Sequence, residues 1–308
     1  MDASVKTVVI MAAIFTISQL GALLMVDSFL GPEYQAFENP NDPLIPIFYV
    51  AAMVLFTFVV LYIIKKKRED LVRLLFLGSV AFTIFYIVLV ILVEIDPGIL
   101  SLVAALAITG VLVYYLVKKP EWYVIDITAV LVGIGVIGIL GISLQILPVM
   151  ILLIVLAVYD AISVYGTKHM VDLADGVTKM KLPILLVIPK QWGYSYLEQK
   201  SLKEQIANKE EREAMFMGLG DIIIPGVLIA SAYRFLAQDE FVGLDGNLVV
   251  ALGTLVGALA GFLVLMRYVL KGNPQAGLPL LNGGAIAGYV VTYLVVFGDL
   301  SLGITIPW

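Results

Sequence analysis

Cysteine is absent from all 308 residues, which excludes disulfides, thiolate metal sites and cysteine nucleophiles. Redox compartment stays open. Histidine occurs once, as His169, in a polar stretch beside Lys168, Asp172 and Asp175, and reads as a solvated loop residue. With no HExxH motif and no histidine inside an apolar run, neither zinc-dependent nor serine–histidine hydrolysis has its residues within a membrane. Charge is scarce as well, at 14% of residues against about 25% in soluble domains, while 61% of the chain is hydrophobic and its mean hydropathy is +1.03. A net charge of −5 and a pI near 5.0 point to no nucleic-acid partner. What this composition describes is a polytopic membrane protein, with the lipid bilayer as its solvent.

A hydrocarbon core of about 30 Å is crossed by about 20 apolar residues in a helix. Nine such runs are present, at 5–26, 44–64, 71–93, 98–117, 122–142, 147–167, 216–237, 247–270 and 277–298. Each must be helical, because lipid satisfies no exposed backbone N–H or C=O. The expected fold class is therefore an all-α polytopic membrane protein of nine transmembrane helices. The first run, from Val5 to Val26, is longer than the ~7–15-residue core of a signal peptide and no convincing small-residue cleavage site follows it, so it reads as a retained span. Basic residues follow every even span: Lys65, Lys66, Lys67, Arg68 and Arg73, then Lys118 and Lys119, then the bases of Lys168 to Arg212, then Arg267 and Lys271. The alternate loops are acidic, with Arg234 the base near that side. By the positive-inside rule the amino terminus and the 167–215 loop are cytoplasmic and the carboxyl terminus lies outside.

That loop is long and polar, and it divides the chain into a six-helix half, 1–166, a hydrophilic segment, 167–215, and a three-helix half, 216–308. Within it "KLPILLVIPK" is apolar, bracketed by proline and lysine, and too short to span; it reads as an interfacial strand, a lid or the buried face of a folded loop. Gly253, Gly257 and Gly261, and Gly135, Gly138 and Gly141, recur at spacings that let helix backbones approach closely.

Three acids lie inside predicted spans: Asp126, Asp160 and Asp221. Asp126 falls about one turn inside the interface, where its carboxylate can snorkel or meet Lys118, a structural role. Asp160 precedes Lys168 by eight residues, about 12 Å of helix, and Asp221 follows Met215 by six, about 9 Å, so the two acids reach similar depths on consecutive antiparallel helices. Intramembrane carboxylates mark function. Two that face each other in low dielectric cannot both ionise and share a proton, which suits them to activate water for peptide hydrolysis. The same pair also suits a proton-coupled transporter or a cation-leak channel, and spacing leaves both readings open. Gly218 and Gly220 allow another backbone to approach the Asp221 carboxylate, or serve helix packing.

Tyr159-Asp160 on one span and Gly218-Leu219-Gly220-Asp221 on the next resemble the YD and GxGD signatures of the presenilin and signal peptide peptidase family of intramembrane aspartyl proteases. The resemblance covers essentially the whole chain, which looks like an archaeal presenilin homologue. It implies catalysis by Asp160 and Asp221, transmembrane peptides as substrates, and no metal or organic cofactor. A homo-oligomer is compatible with it. The family's Pro-Ala-Leu motif corresponds to Ala276-Gly277-Leu278-Pro279, where leucine and the following proline match and the first two positions depart. By that resemblance Gly277, Leu278 and Pro279 lie beside the aspartates and hold substrate. Tyr159 either hydrogen-bonds near the dyad or marks a packing surface.

Overall fold

Long uninterrupted apolar runs become helices here. The structure, a computed structural model, describes residues 3–29, 31, 34–66, 68–167, 183–191, 193–198, 213–271 and 275–305. His169, Lys168, Asp172 and Asp175 lie outside them. In chain order the helices are α1 (Ala3–Val26), α2 (Ile45–Lys65), α3 (Glu69–Ile95), α4 (Ile99–Lys118), α5 (Trp122–Ser143), α6 (Ile146–Ile162), α7 (Leu219–Phe235), α8 (Gly246–Val269) and α9 (Leu278–Phe297). Eight of the described helices are long and apolar enough to cross a membrane. The ninth, α7, has 17 residues, about 26 Å of helix and the lower limit for a span.

Two boundaries depart from the sequence reading. The sixth span ends as an α-helix at Ile162 and continues through a π-helical turn, Ser163–Thr167. The seventh begins at Leu219 and not at 216, because Ala214–Gly218 is a strand, β2, paired antiparallel with β1, Leu185–Pro189. "KLPILLVIPK" thus supplies a strand. Its middle residues Leu186, Val187 and Ile188 are buried, so both faces are covered, which accounts for an unbroken apolar run instead of an alternating one. A second hairpin, β3 (Glu240–Phe241) with β4 (Leu244–Asp245), links α7 to α8.

The chain forms two compact units. One comprises residues 1–11, 55–135 and 168–219, and holds the α3–α4 hairpin and the β1–β2 pair. There Val60 and Val72 form a core with Ile63, Ile64, Phe76, Leu77, Ile184 and Leu185, which seats the start of β1 against the ends of α2 and α3. The other comprises 12–54, 136–167 and 220–308, and holds α6, α8 and α9. In it the glycine repeat of α8 packs on α9: a side chain at Gly257 would run into the Gly284 carbonyl, and one at Gly261 into that of Leu280. These glycines let the two backbones touch, as their four-residue spacing predicts.

Candidate active site

Asp160 lies in the last turn of α6 and is buried, with 5% of its surface exposed. A carboxylate removed from water needs hydrogen-bond donors, and here the backbone of Gly277 and Leu278 supplies them. The Leu278 N–H donates to Asp160 Oδ2 at 3.0 Å. Leu278 opens α9, and the first N–H groups of a helix have no partner within it, so they are ready donors for an anion. Pro279 follows in the first turn, where a missing N–H costs nothing. Two residues before Leu278, the Ala276 N–H donates to the Tyr165 hydroxyl, on the π-helical turn, at 3.3 Å. The segment leading into α9 is therefore tied to α6 at both ends.

Asp221 meets the same segment. A methyl group on Gly277 would stand 3.2 Å from Asp221 Oδ1 and 3.3 Å from Oδ2. Gly277 and Leu278 both bond Asp160 through their backbone, and Asp221 lies against Gly277, so the two carboxylates converge on one stretch of backbone. Asp221 itself sits in the first turn of α7, where the positive end of the helix dipole favours a negative charge. β2 replaces the first helical turn expected after Met215, so Asp160 and Asp221 correspond as residues at helix ends and not by equal depth along two helices. Leu219 is buried and its N–H donates to the Ile184 carbonyl at 3.0 Å, so the strand pair runs without a break into α7. Gly218 closes β2, and a side chain at Gly220 would meet nothing within 4 Å. Tyr159 is half-buried on α6.

Asp126 is structural, but not in the manner expected. It is 6% exposed, does not snorkel, and accepts the Val187 N–H on Oδ1 at 2.8 Å instead of meeting Lys118. Two polar residues escaped the sequence reading. Gln19, fully buried on α1, donates from Nε2 to the Ile222 carbonyl at 2.9 Å, next to Asp221. Asn282, buried on α9 one turn beyond Leu278, donates from Nδ2 to the Leu153 carbonyl of α6 at 2.9 Å. Each is an amide inside an apolar run, and that anomaly was the available signal. Pro225 offers no N–H to the Asp221 carbonyl four residues before it, which loosens the first turn of α7 that Gln19 holds.

The family model for signal-peptide peptidase, presenilin aspartyl protease matches residues 12–298. The chain belongs to that family. Two solved structures, each described as a presenilin family intramembrane aspartate protease, are similar to it. The one in space group C222 is 30% identical with a TM-score of 0.63, covering 91% of this chain and 94% of that one. The one in P2 is 32% identical with a TM-score of 0.66, covering 92% and 96%. Mouse signal peptide peptidase-like 2A is 32% identical over 155 residues, 46% of this chain and 27% of that protein, so the match spans about a quarter of the curated relative. As a presenilin-family chain it departs from Pro-Ala-Leu in two ways that the geometry accounts for. Alanine at 276 provides an N–H, which proline lacks, and Tyr165 accepts it. Glycine at 277 removes the methyl group nearest Asp221.

Proposed function

We propose that this protein is an intramembrane aspartyl endopeptidase in which Asp160 and Asp221 activate water for attack on a peptide bond of a transmembrane substrate. The observation that carries the reading is the Gly277-Leu278 dipeptide, whose backbone bonds Asp160 at both residues while Asp221 lies against Gly277. In a site this dry the two acids hold one proton between them. The ionised carboxylate takes a proton from water as the oxygen attacks, while the protonated one gives its proton to the substrate carbonyl. Collapse of the tetrahedral intermediate then breaks the C–N bond and sends a proton to the leaving amine. The chain's own residues carry every step.

A substrate helix must unwind before its backbone is attacked, and the freed N–H and C=O groups then need partners. The open space at Gly220 and the backbone near Leu278 suit an extended segment joined as a strand. The 1–166, 167–215 and 216–308 arrangement serves this reading, with one acid contributed from each side of the loop.

The test is cleavage of a model transmembrane peptide by purified protein beside Asp160→Asn and Asp221→Asn. Both substitutions abolish hydrolysis with the fold intact by circular dichroism, and the wild-type rate follows a bell-shaped pH profile set by the pair. Substantial cleavage by either variant overturns the assignment. Ion flux that needs the same aspartates, without cleavage, would point to transport instead.

A further inference from the structure

Asp160 and Tyr165 stand five residues apart on one helical stretch, and both bond the segment that opens α9. Asp160 accepts from the backbone of Gly277 and Leu278, and the Tyr165 hydroxyl accepts the Ala276 N–H at 3.3 Å. An α-helix turns about 100° per residue, which would leave Tyr165 about 140° around the axis from Asp160. A π-helical turn bonds residue i to i+5 and so brings the fifth residue back toward the first. Ser163–Thr167 is such a turn, with Tyr165 at its centre. The wide turn narrows that angle, and carboxylate and hydroxyl then meet three consecutive residues, 276 to 278.

Residue 276 is where Pro-Ala-Leu has its proline and this chain has alanine. Proline fixes φ near −65° and carries no N–H, so it restrains the chain covalently and offers a hydroxyl nothing to hold. Alanine restores both the free φ and the N–H. Ala276 is 1% exposed, so that N–H has no water to turn to if the hydroxyl is removed. Tyr165 is 57% exposed, and its ring packs too little to explain its place by burial. Its oxygen is the part that reaches the α9 entry.

We infer that Tyr165 is a positioning residue: by holding the Ala276 N–H it restrains the entry of α9 in place of the motif's proline, and so keeps the backbone of Gly277 and Leu278 on Asp160. Its effect on rate rests on the proteolytic reading above. Tyr165 acts through residue 276 and not on the reacting bond. Proline at 276 and a hydroxyl at 165 are two ways of fixing the same residue, so either one makes the other dispensable.

The experiment is a double-mutant cycle in the full chain, with Tyr165→Phe, Ala276→Pro and both together, read by cleavage of a transmembrane peptide. Tyr165→Phe removes the oxygen alone and is expected to lower kcat about fivefold with KM within about twofold, the size of one lost hydrogen bond. With proline at 276 the same change should alter kcat by less than about twofold, because the N–H it served is gone. Wild-type kcat in Tyr165→Phe overturns the proposal, and so does an equal loss in both backgrounds. A second arm requires no turnover. Amide hydrogen exchange at Ala276 should be faster in Tyr165→Phe than in the wild type, and unchanged exchange overturns the proposal even if Ala276→Pro does not fold. Absence of cleavage by the wild type, with exchange at 276 still dependent on the hydroxyl, would instead overturn the proteolytic reading and leave the tether standing.

Discussion

Gly277 stands where a single methyl group separates two effects. Its backbone, at φ −79° and ψ −49°, is a conformation alanine adopts without strain. Replacing glycine by alanine at such a site stabilises by about 0.4–1 kcal/mol through the unfolded state. The added methyl, however, would lie 3.2 Å from Asp221 Oδ1, closer than ordinary van der Waals contact, and the carboxylate must give way. Gly277→Ala is therefore expected to hold or raise Tm in detergent while lowering kcat several-fold. Loss of stability with unchanged kcat would show that the missing methyl serves packing and not the carboxylate. Tyr165 is the companion departure: its hydroxyl uses the N–H that alanine at 276 makes available, so the two substitutions in the motif belong to separate contacts.

At the scale of elements, α9 is the piece that must be placed, since its first N–H meets Asp160. Its position is set by backbone contact with α8 at Gly257 and Gly261, and by Asn282 against α6. A leucine at Gly257 would force the two helices apart at the Gly284 carbonyl. Gly257→Leu should lower both Tm and cleavage. Gly283→Ala is the control, because a side chain there meets nothing within 4 Å, and both quantities should stay at wild type. Thermal unfolding and peptide cleavage on the same preparations check the pair. Equal tolerance of both substitutions would remove the helix contact as the device that places Leu278.

Over the whole molecule, the expectation from basic residues after even spans is a cytoplasmic 167–215 segment. Strand addition has a preferred chain direction, so a fixed edge in a fixed orientation should select among substrates. We expect faster cutting of peptides whose amino terminus lies outside and whose carboxyl terminus lies inside. Oriented vesicles with one substrate inserted in each direction check this, with protease access to 167–215 reporting the enzyme's own sidedness. Faster cutting of the inside-to-outside form would overturn it.

Helical class and most span positions were legible in the residues alone, because lipid leaves the backbone one local way to satisfy its hydrogen bonds, and it makes every buried charge an anomaly that marks a candidate. Local pattern stops being sufficient where backbone groups find partners far along the chain. Residues 216–218 are apolar enough to extend a helix, yet they pair with 185–187 as strand, since that partner lies some thirty residues away in sequence. Asp126 read as a snorkelling acid because its acceptor role depends on Val187, 61 positions on. Gln19 reaches Ile222 across 203 positions, and Leu278 reaches Asp160 across 118. Composition and periodicity determined which segments enter the membrane and which carboxylates do so with them. Tertiary contact alone decided where the helices stop, and which N–H Asp126 and Asp160 receive, because those are hydrogen bonds between distant groups that no local propensity encodes.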